Sequence, residues 1–123
     1  MDTAHDFRNL RVWQKGISIT EQVYKLSRKF PKEEIYGLTA QIRRAAVSIP
    51  SNIAEGFKRY HPRQYREYLY MALGSAAELD TQLIICSEIG YCSLDDVNEI
   101  SDRLERLAKQ TNILIKRINN TIS

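Results

Sequence analysis

The sequence predicts an all-α fold, an antiparallel up-and-down four-helix bundle, in a single domain over residues 1–123. Three observations carry this. Apolar residues step by three and four along four segments, and none alternates as a strand does. The connections between the segments are short, which makes consecutive helices antiparallel neighbours. The chain has 123 residues with 5 Gly and 3 Pro, 43% hydrophobic and 27% charged. That is one globular domain without the turn density of a β-sandwich.

The first helix is expected over residues 9–29, with two stripes: Leu10, Trp13 and Ile17, and then Val12, Ile19, Val23 and Leu26. Phe30-Pro31 closes it, because a residue before proline is pushed out of the helical region. Pro31-Lys32-Glu33-Glu34 reads as a short turn.

The second helix is expected over residues 37–58. Its stripe is Leu38, Ile42, Ala45 or Ala46, Ile49, Ile53 and Phe57. Pro50 interrupts it, removing the bond to the Ala46 carbonyl at a cost of about 3 kcal/mol in a regular helix. Either the helix breaks at Ser48 and restarts, or one helix kinks. The stripe keeps phase across Pro50, which favours one kinked helix. Ser48, Ser51 or Asn52 can satisfy the freed backbone groups, and Glu55 can pair with an arginine of a neighbouring helix. Pro50, Ser51, Asn52 and Glu55 are therefore expected to be structural residues.

The third helix is expected over residues 62–89, on the stripe Tyr65, Leu69, Ala72, Ala76, Leu79, Leu83 and Cys86. Pro62 suits the first helical position and Gly90 the stop. The fourth is expected over residues 94–119, on Val97, Ile100, Leu104, Leu107, Thr111, Leu114 and Ile118. Ser93 is its candidate N-cap, Asp95 and Asp96 fall in the first turn, and Lys116 and Arg117 near the end, as the helix dipole favours.

Little catalytic chemistry is visible. The histidines, His5 and His61, lie outside the helical stripes, and Cys86 and Cys92 have no partner at zinc spacing. Cys86 falls on a core stripe, and Cys92 reads as a free loop thiol. No Glu-x-x-His pair, nucleophile elbow or phosphate loop occurs. Neither catalytic residues, nor metal, nor cofactor are expected. No apolar run reaches a membrane span, and the polar N-terminus does not read as a signal peptide, so the expected location is cytoplasmic.

Charge is unevenly distributed. Residues 8–66 hold 13 Lys/Arg against 4 Asp/Glu, whereas residues 78–105 hold 8 acids against Arg103 alone. Antiparallel threading brings the starts of helices one and three to the ends of helices two and four. That pole collects Arg8, Arg11, Lys15, Lys58, Arg59, Arg63, Arg66, Lys116 and Arg117, against Asp2, Asp6, Glu55 and Glu67. The stretch from Lys58 to Arg66 is acid-free, with Tyr60 and Tyr65 interleaved. Cations bind phosphates and aromatic faces stack on unpaired bases. A solvated loop, with tyrosines packing at a bundle or subunit contact, is the other reading. Helix three also carries apolar residues beyond its core stripe (Tyr68, Tyr70, Met71, Leu73, Ala77, Ile84), with small residues from Gly74 to Ala77. A second apolar face points to self-association or to a wide seam in a monomer.

Several stretches resemble a known family. They are Phe7–Lys15, Phe30–Glu34, Tyr36–Thr39, Gln41–Gly56, and Ala72–Ser75 with Ala77–Leu79 and Thr81–Leu83. They are similar to the four-helix bundle proteins of intervening sequences in bacterial 23S rRNA genes. The resemblance implies an antiparallel bundle, a ring-like homopentamer and nucleic-acid binding, with no established catalytic activity.

The expected function is thus that of a non-catalytic homo-oligomer, pentamer favoured, binding nucleic acid, RNA favoured, through the basic pole. Arg59, Arg63 and Arg66 are expected on phosphates, with Tyr60 and Tyr65 as stacking surfaces and Arg8, Arg11, Lys15, Lys58, Lys116 and Arg117 adding charge. The alternative is a structural or adaptor protein that binds another protein through an apolar surface of the oligomer.

Overall fold

A computed structural model describes residues 6–122. Four helices follow one another: α1 (Arg11–Ser27), α2 (Leu38–Lys58), α3 (Pro62–Glu88) and α4 (Leu94–Thr121). Single 3-10 turns, Phe7–Asn9 and Lys32–Glu34, precede α1 and α2. No strand occurs among the described residues. Asp2 and His5 lie outside them. Each helix packs on its neighbours in sequence, and α4 closes on α1. Cross-links along the seams fix the antiparallel sense. Thr20 of α1 reaches Ala46 of α2, and Ser48 of α2 meets Ser75 of α3. Arg66 and Asp80 of α3 bond Asn119 and Ser101 of α4, while Arg103 of α4 bonds Ser18 of α1.

Local chemistry sets the helix ends. Asp6 caps the first 3-10 turn by accepting the Arg8 N–H at 3.0 Å. Pro62 occupies the first position of α3. Gly90, at φ +86°, ends α3 in the left-handed region, and the Tyr91 N–H then turns back to the Cys86 carbonyl at 2.9 Å. Ser93 Oγ accepts the Asp96 N–H at 3.1 Å and starts α4. Tyr91 donates to Glu34 at 2.8 Å and packs on Phe30, tying the α3–α4 turn to the α1–α2 connection. Because α4 runs to Thr121, Lys116 and Arg117 fall short of the last turn, which holds no cation.

The core follows the predicted stripes with shifts. In α3, Leu69, Ala72, Ala76, Leu79, Leu83 and Cys86 are buried, while Tyr65 is half-buried. In α4, Ile115 takes the buried place expected of Leu114. In α1 the buried row is Val12, Gly16, Ile19, Val23 and Ser27, with Leu10, Trp13 and Ile17 only half-buried. Gly16 faces Pro50: a Cβ there would stand 3.2 Å from the proline ring. This close approach explains why a residue without a side chain belongs to the inner row.

Helix α2 runs unbroken through Pro50, which is itself buried. The carbonyl that Pro50 leaves without its helical donor is that of Ala46, and its partner corrects the sequence-based expectation. Thr20 Oγ1, from α1, shares its hydrogen between Ala46 O at 3.1 Å and Gly16 O at 2.8 Å. Asn52 serves a different group, donating to Ser48 O and Oγ, while Ser48 Oγ pairs with Ser75 Oγ at 2.8 Å. Ser51 is exposed and has no side-chain hydrogen bond among the described residues.

Candidate nucleic-acid interface

The α2–α3 corner is built around Gly56. A Cβ there would stand 2.6 Å from Tyr68 Cβ, so glycine lets α3 lie directly on the end of α2. Phe57 then meets Tyr65 edge to face at 5.9 Å. The connection turns through Tyr60 at φ 54°, and α3 starts at Pro62 with no side-chain cap from His61 and no acid in its first turn. Arg66 Nη1 donates to Asn119 Oδ1 at 2.9 Å, fastening the start of α3 to the end of α4.

The predicted site residues fall into three groups. Arg8 and Arg59 are ion-paired. Arg8 binds Asp6 at 3.1 Å. Arg59 Nη2 donates to Glu55 at 2.9 Å and to the Tyr68 hydroxyl at 2.7 Å. The bond to Glu55 and the nearby Tyr68 hold the Arg59 pKa above its ordinary value. Glu55 was expected to reach an arginine of another helix; its arginine instead lies four residues on, and its partner from α3 is Tyr68, whose hydroxyl donates to it at 3.4 Å.

A second group has no carboxylate partner among the described residues: Arg11, Lys15, Lys58, Arg63, Arg66, Lys116 and Arg117. Arg117 is the hinge of this group. It lines one groove with Leu10 and Arg11 at the start of α1, and a second with Tyr60 and His61 at the α2–α3 corner. Cations far apart in sequence thus converge at one end of the bundle. Lys58 Nζ stands 5.9 Å from the Tyr60 ring centroid.

The tyrosines differ from each other. Tyr60 is 66% exposed. Tyr65 is half-buried against Phe57, its phenol oxygen is sealed from water without a hydrogen-bond partner, and burial pushes its pKa up to about 12. Its ring belongs to the apolar layer between α2 and α3.

Basic character also extends beyond the pole. Lys15 lines a groove between α1 and α4 with Arg103 and Arg106. Sequence reasoning missed these two arginines because they sit among acids in the chain. The available signal was their spacing: Arg103, Arg106, Gln110 and Arg117 step along one face of α4.

No group of three His, Cys, Asp or Glu that could hold a metal ion occurs among the described residues. Cys86 is buried and Cys92 half-buried, and both are free thiols. No helix among the described residues is long and apolar enough to cross a membrane.

Comparison with known proteins adds three findings. A family model described as 23S rRNA-intervening sequence protein matches residues 8–113. A solved structure from Bacteroides thetaiotaomicron, a protein of unknown function from the S23 ribosomal protein family, superposes with a TM-score of 0.76. It is 21% identical, and the match covers 85% of this chain and 98% of that one, a likeness of fold. No curated protein matches the sequence.

Proposed function

The chain belongs to the 23S rRNA-intervening sequence protein family, and we propose that it is a non-catalytic, oligomeric bundle that binds nucleic acid, RNA by preference, at its basic pole. One observation carries the reading: Arg117 of α4 lies in one groove with Arg11 of α1 and in another with the Tyr60–Pro62 corner, and neither arginine has a carboxylate partner among the described residues. Unneutralised cations at one end of a small rigid body suit a phosphate backbone, each contact displacing a condensed counterion. Arg63 in the first turn of α3, and Lys15 and Arg106 in the groove between α1 and α4, enlarge the footprint, whereas Arg103 in that groove is paired with Glu99 at 3.6 Å.

Self-association would repeat this weak patch and raise avidity. Two unlike faces support a head-to-tail contact, the kind that closes into a ring. The outer face of α3 exposes Tyr70, Met71, Ile84 and Ile85 beside Glu67, Glu78 and Glu88. The groove between α1 and α2 exposes Tyr24, Tyr36 and Val47 beside Arg43 and Arg44. One face is acidic and apolar, the other basic and apolar. A homopentamer in the cytoplasm is the form of the proposal.

Titration of structured and single-stranded RNA at two salt concentrations tests the binding. Tight binding at low salt, weakened when Arg11, Arg63 and Arg117 become Ala, is the expected result; no binding at low salt overturns it. Sedimentation of micromolar protein at the 14.3 kDa of one chain overturns the oligomer. The rival reading, an adaptor for another protein, draws on Tyr36, which is 94% exposed. It gains if RNA does not bind and Tyr36 stays accessible in the oligomer.

A further inference from the structure

We propose that the notch at the α2–α3 corner receives a single unpaired base, so that the basic pole selects RNA with an extruded nucleotide over fully paired RNA. This rests on the basic-pole reading and sharpens its ligand.

The notch has a volume of about 370 Å³, with Phe57 and Tyr65 on its floor and Tyr60, His61, Arg117 and Thr121 around it. That is the lower end of the roughly 300–1,000 Å³ of small-molecule sites. Aromatic floor and cationic rim match the two halves of a nucleotide, a flat base and a charged phosphate. Tyr60 is not stacked on its neighbour: Phe57 meets it at 6.3 Å with the planes 60° apart. A base lying against Tyr60 has Lys58 and Arg117 nearby for its phosphates.

The backbone gives a second, independent indication. Tyr60 has φ 54°, in the left-handed region where glycine is the unstrained choice and a bulky residue is rare. Among the described non-glycine residues it alone has positive φ. The corner therefore holds an aromatic ring at the mouth of the notch against the preference of its own backbone, the kind of strain that gathers at functional sites. Bases inside an A-form duplex are stacked and out of reach, so only bulges, loops and ends supply the ligand.

Two fluorescent hairpin RNAs test the inference, identical except that one carries a single bulged uridine. Binding is measured by anisotropy at low salt to the wild-type chain and to Tyr60→Phe, Tyr60→Gly and the Arg11→Ala/Arg117→Ala double variant. The bulged hairpin is expected to bind about tenfold more tightly to the wild type, the gain typical of one base–aromatic stack. Tyr60→Phe keeps the ring and the preference. Tyr60→Gly removes the ring and relieves the backbone, so the preference disappears while the thermal midpoint does not fall, which separates loss of stacking from loss of fold. Equal affinity for the two hairpins, or a preference that survives Tyr60→Gly, overturns the notch. If the two bind equally and the arginine variant weakens both, the notch fails and the basic pole stands. If neither hairpin binds, both readings fail.

Discussion

The Thr20 hydroxyl of α1 supplies a hydrogen bond to the Ala46 carbonyl of α2, the group that Pro50 leaves without a helical donor. A proline inside α2 is thereby satisfied from another helix, and the pairing locks the register of α1 against α2. Thr20→Val keeps shape and removes the donor. It is expected to destabilise the fold by about 1–2 kcal/mol, because an unpaired carbonyl in a packed seam pays its desolvation cost. Urea unfolding with a lower midpoint and an unchanged slope is the expected readout, with Thr20→Ser close to wild type.

The same seam makes Gly16 hard to replace. Alanine is the better helix former by about 1 kcal/mol, yet its Cβ would meet Pro50 Cβ and Cδ at 3.2 Å and its nitrogen at 3.3 Å. The buried proline ring cannot rotate aside, so Gly16→Ala is expected to lower stability despite the propensity gain. Pro50→Ala removes the ring atoms beyond Cβ. In a double-mutant cycle, Gly16→Ala should therefore cost less in the Pro50→Ala background, by at least 0.5 kcal/mol, as expected for residues in contact.

Signals local to a few residues were legible in the sequence: the Ser93 cap, the Gly90 stop, Pro62 at a helix start and the four core stripes. The differences arise where two residues satisfy the same local rule or where the partner is distant. Leu114 and Ile115 both continue a three–four spacing between Thr111 and Ile118, so periodicity cannot choose between them. Thr20 reads as an ordinary polar position, because its partner lies 26 residues away. Tyr65 belongs both to the basic stretch and to the α3 stripe, and packing against Phe57 decides its place. Arg103 and Arg106 are hidden in an acidic segment until α4 is laid against α1.

Cys86 predicts an alkaline loss of stability. It is fully buried, and burial, aided by Cys92 and Glu34, pushes its thiol pKa up to about 12 from 9.0. The fold therefore holds a proton that the unfolded chain releases above pH 9. The stabilisation is complete below that pH and is lost as pH climbs towards 12, at a limiting slope of about 1.4 kcal/mol per unit. Cys92 is pushed in the same direction. Unfolding free energies measured by urea from pH 8 to 10.5 should fall, and Cys86→Ala should flatten the decline whatever it costs in packing at pH 8.

The outer face of α3 predicts the result of breaking the oligomer. Met71 is 54% exposed, and a Cβ on Gly74, one turn away, would meet nothing within 4 Å. Neither position serves the core of one bundle. Met71→Glu with Ile84→Glu adds charge to a face that already carries Glu67, Glu78 and Glu88. The variant is expected to sediment as one 14.3 kDa chain at a concentration where the wild type does not, with its helical circular dichroism retained. An unchanged sedimentation coefficient would place the subunit contact elsewhere.

Arg117 and Arg59 carry the same charge and should nevertheless differ in the salt dependence of RNA binding. Each phosphate contact contributes about 0.7 to 0.9 to the slope of log affinity against log salt. Arg117 has no carboxylate partner among the described residues and lies in two grooves of the pole, so Arg117→Gln should reduce the slope by about one contact. Arg59 already directs Nη2 to Glu55 at 2.9 Å and to Tyr68 at 2.7 Å. To hold a phosphate it must give up those bonds or share them beside a carboxylate that repels the ligand. Arg59→Gln should thus weaken binding through the exposed charge of Glu55 while changing the slope by less than Arg117→Gln does. Equal slopes would mean that the Arg59–Glu55 pair opens on binding, and Glu55→Gln would then raise affinity in the wild-type arginine background. The two arginines separate charge that merely resides at the pole from charge free to meet a ligand.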